Sequence, residues 1–215
     1  MTPSKPPLRG LYAITPVELC ANQSRLLAAV EGALRGGAVL VQLRDKLSAP
    51  AQRSANAQAL AALCHAHGAR LIINDDVALA LDCGADGVHL GATDGSLAQA
   101  RQMLGPGAII GASCGPWLER AHAAAAAGVD YVAFGRFFPS RTKPDAPQAT
   151  LELLREARGQ LDLPICAIGG VNADNGGALL AAGADLLAVV DDLFGAADPA
   201  AVEAAARRYA RLFEN

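Results

Sequence analysis

Short runs rich in Val, Ile and Leu recur along the chain at intervals of roughly 20 to 30 residues, the spacing at which βαβ units build a parallel sheet buried on both faces. Eight such runs occur: LYAIT (11–15), VLVQLRD (39–45), RLIIND (70–75), GVHLG (87–91), AIIGAS (108–113), YVAFG (131–135), PICAIGG (164–170) and LLAVVDD (186–192). Between them apolar residues fall at helical spacing, as in Leu26, Leu27, Val30 and Leu34, or Val202, Ala205, Ala206, Tyr209 and Leu212. Four strands share one approach, RGGAVLVQL, DCGADGVHL, AAGVDYVAF and AAGADLLAV, in which a glycine ends a helix before a turn and a strand. The pattern predicts an α/β fold, a single (β/α)8 barrel of the TIM type over residues 11–215. A doubly wound open sheet uses the same alternation, but no G-x-G-x-x-G follows the first run. Residues 1–10, with three prolines among the first seven, are expected to form a flexible N-terminal tail.

Composition narrows the classes of function. The 215 residues suffice for one sizeable core, and no Ser/Gly linker or charge block divides them. A net charge of −3 argues against a broad nucleic-acid or membrane-binding surface, so any anion site must be local. The five cysteines, Cys20, Cys64, Cys83, Cys114 and Cys166, are odd in number and widely spaced, as expected of reduced, mostly buried thiols. No signal-like segment or membrane-length apolar run is present, so a cytoplasmic protein acting on small molecules is expected.

In a barrel of this kind the active site lies at the C-terminal ends of the strands. Those ends carry Arg44 and Lys46, Asn74 and Asp75, Asp94, Ser113, the loop 136–143, Gly169 and Gly170, and Asp191, whereas the N-terminal ends carry little beyond turn residues. Cations, two separated acids, an amide, hydroxyls and a Gly-Gly together suit a magnesium-bound diphosphate. Asp75 and Asp94, from different strand ends, can each offer one oxygen to Mg2+. Asp76 reads instead as the N-terminal residue of the next helix. Arg44 and Lys46 alternate with Asp45 and so face phosphate oxygens together. Gly169 and Gly170 permit backbone N–H groups to approach a phosphate, with Ser140, Arg141 and Thr142 one strand away and Asn172 or Asp174 capping the helix that follows. His89, inside a strand, reads as a packed, hydrogen-bonded barrel histidine rather than a catalytic one, and nothing beside Cys114 suggests an activated thiolate.

The motifs QLRDK (42–46), NDD (74–76), ADGVHLGATD (85–94), GAS (111–113), FPSRTK (138–143) and AIGGVNADN (167–175) resemble those of the thiamine phosphate synthase family, in order and over nearly the whole chain. The resemblance implies a Mg2+-dependent transferase joining hydroxymethylpyrimidine diphosphate to a thiazole phosphate or its carboxylated form. It implies that the pyrimidine diphosphate is contacted by Gln42, Leu43, Arg44, Asp45, Lys46, Asn74, Ser113 and Lys143. By the same resemblance Asp75 and Asp94 are the metal ligands, and Ser140, Arg141, Thr142, Gly170, Val190 and Asp191 form the thiazole phosphate site. Arg44, Lys46, Ser113 and Lys143 are then the catalytic candidates. The implied chemistry, ionisation of the carbon–oxygen bond and capture of a pyrimidine cation by the thiazole nitrogen, needs positive charge on the departing diphosphate and little acid–base help.

Two positions depart from the family pattern. Arg136 stands where a proline is usual and Asp191 where a serine is usual, so Asp191 is expected to offer only its N–H to a phosphate while Arg136 supplies a compensating cation. A related branch of the family, the thiazole tautomerases, relies on a histidine two residues after the serine of the fifth strand; here that position is Gly115. A catalytically silent barrel that binds thiamine phosphate is the remaining alternative.

Overall fold

Every apolar run becomes a strand in the computed structural model, which describes residues 8–139, 147–195 and 198–214. The eight strands pair in parallel and in chain order, β1 closing on β8, as a (β/α)8 barrel. The strands are β1 (Gly10–Ile14), β2 (Ala38–Leu43), β3 (Arg70–Asn74), β4 (Gly87–Leu90), β5 (Ile109–Gly115), β6 (Tyr131–Phe134), β7 (Ile165–Ile168) and β8 (Leu186–Val189). The helices are α1 (Gln23–Arg35), α2 (Pro50–Ala66), α3 (Val77–Asp82), α4 (Leu97–Leu104), α5 (Leu118–Ala126), α6 (Leu151–Gln160), α7 (Gly176–Ala181), α8 (Asp191–Phe194) and α9 (Pro199–Ala210). Side chains of Asn22, Asp76, Ser96, Thr150 and Asp198 accept hydrogen bonds from first-turn N–H groups and so start α1, α3, α4, α6 and α9. Asp76 is thus the cap that its position suggested. No helix among the described residues is long and apolar enough to cross a membrane.

Strand alternation divides the core in two. Leu11, Ala13, Val41, Leu43, Ile73, Ile110 and Val132 face the helices, whereas Tyr12, Ile14, Leu40, Ile72, Ile109, Tyr131 and Leu186 fill the barrel. Leu8 packs with the interior set, and Arg9 donates to the Phe213 carbonyl at 3.1 Å with its guanidinium 5.3 Å from the centre of that ring. Residues 8–10 are therefore docked, and the expectation of a tail extending to residue 10 is corrected there: Leu8 gains burial and Gly10 already belongs to β1.

The N-terminal ends of the strands are also less bland than expected. Asp86, Asp130 and Asp185, at the feet of β4, β6 and β8, each accept from the N–H of the preceding strand, Leu71, Ile110 and Ile165, at 2.8 Å. His65 lies 2.9 Å from Asp86, Arg101 donates to Asp130 at 2.5 Å, and Arg158 pairs with Asp185. The repeated GAD and GVD turns thus tie neighbouring strands together, β3 to β4, β5 to β6 and β7 to β8, at the end remote from the strand C-termini.

Candidate active site

The C-terminal mouth of the barrel holds a cavity of about 680 Å³. Its walls are mostly residues of the inward-facing parity: Gln42 from β2 and Arg44 just beyond it, Asn74 from β3, His89 from β4, Ser113 and Gly115 from β5, then Gly170 and Val190 beyond β7 and β8. Asp94, Asp191 and Arg136 complete the rim. Of the expected set, Gln42, Arg44, Asn74, Asp94, Ser113, Gly170, Val190 and Asp191 therefore share one space, whereas Lys46 and Asp75 are not among the residues lining it.

The same parity corrects two expected contacts. Leu43 and Asp45 point away from the cavity: Leu43 is buried against the helices, and Asp45 is buried in the loop before α2. There its carboxylate accepts from Leu47 N at 3.3 Å, Ser48 N at 3.0 Å and Asn56 Nδ2 at 3.4 Å. Asp45 thereby fixes the loop that carries Lys46. Ser140, Arg141, Thr142 and Lys143 lie outside the described residues.

Asp75 occupies the left-handed backbone region at φ 64°, where only Asn and Asp among non-glycine residues are common. Its N–H donates to the His89 carbonyl at 2.9 Å, anchoring the end of β3 on β4. Its carboxylate accepts from Asn74 Nδ2 at 2.5 Å and pairs with Lys46 at 3.3 Å. Lys46 thus meets the candidate metal ligand directly. Asp94 is exposed on the cavity rim, its N–H donating to the Gly91 carbonyl at 3.3 Å. Among the described residues no three His, Cys, Asp or Glu side chains converge as a metal cage.

On the opposite wall the chain after β6 continues the β7 ladder, Phe137 N to Ile168 O at 3.3 Å and Phe138 N to Gly169 O at 3.0 Å. The Gly169–Gly170 pair is what lets it lie so close, since a Cβ at Gly169 would stand 2.3 Å from Arg136 Cβ and one at Gly170 2.4 Å from the Pro139 carbonyl. Packing alone therefore accounts for both glycines, and it also brings the segment leading to Ser140 against the candidate phosphate loop. Asn175 Nδ2 donates to the Gly170 carbonyl at 3.0 Å, while Asn172 Oδ1 accepts from Asp174 N and Asn175 N rather than capping α7. Asp192, next to Asp191, is held by the Tyr209 hydroxyl at 2.6 Å.

Three cavity-lining side chains, His89, Trp117 and Arg120, were not foreseen as such in the sequence, although His89 is the packed, hydrogen-bonded barrel histidine expected there. His89 faces the cavity, with Nε2 2.8 Å from Ser113 Oγ and Nδ1 2.9 Å from the Tyr131 hydroxyl. The inward parity it shares with Asn74 and Ser113 is the signal that could have found it. Trp117 and Arg120 also line the cavity, with the guanidinium 4.0 Å from the indole centre. Burial raises the Cys166 thiol, which lines the cavity, well above the ordinary thiol range, and pushes Cys114, packed on the helix side of β5, up to about 12, so neither is poised as a thiolate.

Comparison with known proteins agrees with this geometry. Residues 11–193 match the family model described as thiamine monophosphate synthase. The chain is 54% identical over 214 residues to the thiamine-phosphate synthase of Thioalkalivibrio sulfidiphilus (strain HL-EbGR7), covering 100% of both. It is 55% identical over 192 residues to that of Azoarcus sp. (strain BH72), covering 89% of this chain and 92% of the relative. A solved thiamine phosphate pyrophosphorylase from Pyrococcus furiosus superposes with a TM-score of 0.84 at 34% identity, over 95% of each chain. With that coverage and identity, the chain belongs to the thiamine monophosphate synthase family.

Proposed function

We propose that the protein condenses hydroxymethylpyrimidine diphosphate with a thiazole phosphate, or its carboxylated form, to give thiamine phosphate and diphosphate. The observation that carries this reading is that one cavity gathers Gln42, Arg44, Asn74 and Ser113 on one wall and Gly170, Val190 and Asp191 on the other. Its volume of about 680 Å³ suits two small substrates bound side by side.

Arg44 and Ser113 bind and orient the pyrimidine diphosphate, and Lys46 and Lys143 add positive charge as the leaving diphosphate gains negative charge. Asp75 and Asp94 suit Mg2+, which takes one or two carboxylates and leaves its other positions to water and phosphate oxygens. Bound there, the ion would lower the cost of charge on the departing diphosphate. Gln42 and Asn74 hold the pyrimidine edge, while the apolar interior beneath, Ile14, Ala133, Ile168 and Ala188, keeps water from the cationic carbon. The Gly170 and Val190 backbone, with Ser140 and Thr142, holds the thiazole phosphate and aims its nitrogen at that carbon. Asp191 offers its N–H, and Arg136 on the same rim supplies the compensating cation. The chemistry and the free thiols, four of the five buried, fit a cytoplasmic location.

The tautomerase alternative meets a steric objection at Gly115. A Cβ there would stand 2.5 Å from Trp117 Cζ3, so the indole occupies the space a histidine would need. Incubating the purified protein with both substrates and Mg2+ and quantifying thiamine phosphate tests the proposal. Thiazole isomerisation without condensation would favour the tautomerase reading, and tight thiamine phosphate binding without turnover the silent barrel.

A further inference from the structure

Beneath the cavity five side chains from five strands form one unbroken hydrogen-bonded chain. Gln42 Nε2 donates to the Tyr12 hydroxyl at 2.6 Å, Tyr12 meets Tyr131 at 2.8 Å, Tyr131 meets His89 Nδ1 at 2.9 Å, and His89 Nε2 meets Ser113 Oγ at 2.8 Å. The chain exists because β5 has no side chain at Gly111. In register, His89 pairs with Gly111 and Gly111 with Tyr131, and a Cβ at Gly111 would stand 2.0 Å from Tyr131 Cζ. The tyrosine ring crosses that gap and stacks on the imidazole, with centroids 5.6 Å apart.

Proton counting gives the chain a direction. An amide nitrogen only donates, and each hydroxyl carries one hydrogen. Tyr12 and Tyr131 are 1% and 0% exposed, and burial holds both phenols well above their ordinary range, so neither gives up its proton. A phenolic oxygen can accept twice, so the direction follows from satisfying the buried hydrogens: only when Tyr12 donates to Tyr131, and Tyr131 to Nδ1 of a neutral His89, does every hydrogen along the chain meet an acceptor within it. That leaves the imidazole hydrogen on Nε2, directed at Ser113 Oγ. We propose that Tyr12 and Tyr131 are positioning residues which, through this one-way chain, lock His89 as its Nε2–H tautomer and turn the Ser113 hydroxyl hydrogen into the cavity. Ser113 is then a committed donor, suited to an anionic oxygen or an unprotonated ring nitrogen of the substrate. Reversal would require the Gln42 amide to be turned over, or the buried Tyr12 hydrogen to be left without an acceptor in the chain.

This rests on the synthase reading only for the identity of the ligand that Ser113 meets. The test is long-range proton–nitrogen NMR of histidine-labelled protein without substrate, with His89 assigned by comparison with His89→Asn, alongside steady-state kinetics of Tyr131→Phe. The expected result is an Nε2–H tautomer at His89 in wild type and a mixed or Nδ1–H population in Tyr131→Phe. Its kcat falls about tenfold while KM for the pyrimidine diphosphate stays within about twofold, the size expected for one misdirected hydrogen bond. Tyr12→Phe breaks an earlier link and shifts the tautomer the same way, which keeps the test available should Tyr131→Phe not fold. Nδ1–H in wild type, or a Tyr131→Phe protein with unchanged tautomer and kcat, overturns the proposal. If the substrate assignment were wrong, wild type would be inactive in the assay while the tautomer shift persisted, which supports the chain separately from the reaction.

Discussion

Gly115 and Trp117 are mutually dependent: Gly115 sits at φ 61°, and its Cα is so near the indole that a Cβ would stand 2.5 Å from Cζ3. Both a strained backbone and a displaced ring follow from any side chain at this position. Gly115→Ala is expected to destabilise the fold by about 1–3 kcal/mol in urea unfolding. Trp117 is the single tryptophan of the chain, so its emission reports the same change, shifting to longer wavelength as the ring leaves its seat. An unshifted spectrum with unchanged stability would show that the indole is not seated there. Gly115→His is expected to give no thiazole isomerisation for the same reason.

Asp75 combines a left-handed backbone with a carboxylate bound by Asn74 and Lys46, so its substitutions separate folding from metal use. Asn tolerates that backbone, and Asp75→Asn should unfold at nearly the wild-type urea concentration. Its half-activating Mg2+ concentration should rise at least about tenfold in a titration of activity. An unchanged Mg2+ profile would remove Asp75 from the proposed ligand set.

At the other end of the barrel, Asp185→Ala should behave in the opposite way. It strips the acceptor from the fully buried Ile165 N–H and the carboxylate from Arg158, which keeps its bonds to the Gly183 carbonyl. A loss of about 1–3 kcal/mol is expected in urea unfolding, with both substrate KM values unchanged. A KM effect without a stability loss would contradict the division between a structural foot and a functional mouth.

All three tyrosines, Tyr12, Tyr131 and Tyr209, are buried, and burial raises the pKa of each above the ordinary 10.0. The folded state therefore holds more protons than the unfolded chain above about pH 10, so stability is flat below that pH with respect to these groups and falls above it. Ultraviolet titration at about pH 10.5 should show little tyrosinate in native protein and about three-quarters ionisation in denaturant. Equal absorbance in the two samples would contradict the buried arrangement.

The barrel was legible because its evidence is local: each strand announces itself by apolar runs and glycine turns, and eight of them in order leave few ways to close. The candidate diphosphate wall was legible in part for the same reason, since strand ends are found by counting. Alternation within a strand set Arg44 and Lys46 apart from Asp45, which only the family resemblance kept among the contacts, but it was not carried to Leu43 or His89, which it would have sorted correctly. The Tyr12–Tyr131 contact was not legible, because it joins residues 119 apart that face each other only after the barrel closes. The acids at the strand feet escaped notice because a turn aspartate looks alike whether it meets solvent or the neighbouring strand's N–H.

The central claim is that the mouth cavity holds both halves of thiamine phosphate in a fixed orientation. A crystal structure of the protein with thiamine phosphate, diphosphate and Mg2+ tests it most directly. The account predicts the pyrimidine between Gln42 and Ser113, the thiazole phosphate on the Gly170 and Val190 backbone, and diphosphate beside Arg44 with Mg2+ on Asp75 and Asp94. A ligand bound outside this cavity, or with its two ends exchanged, would contradict it.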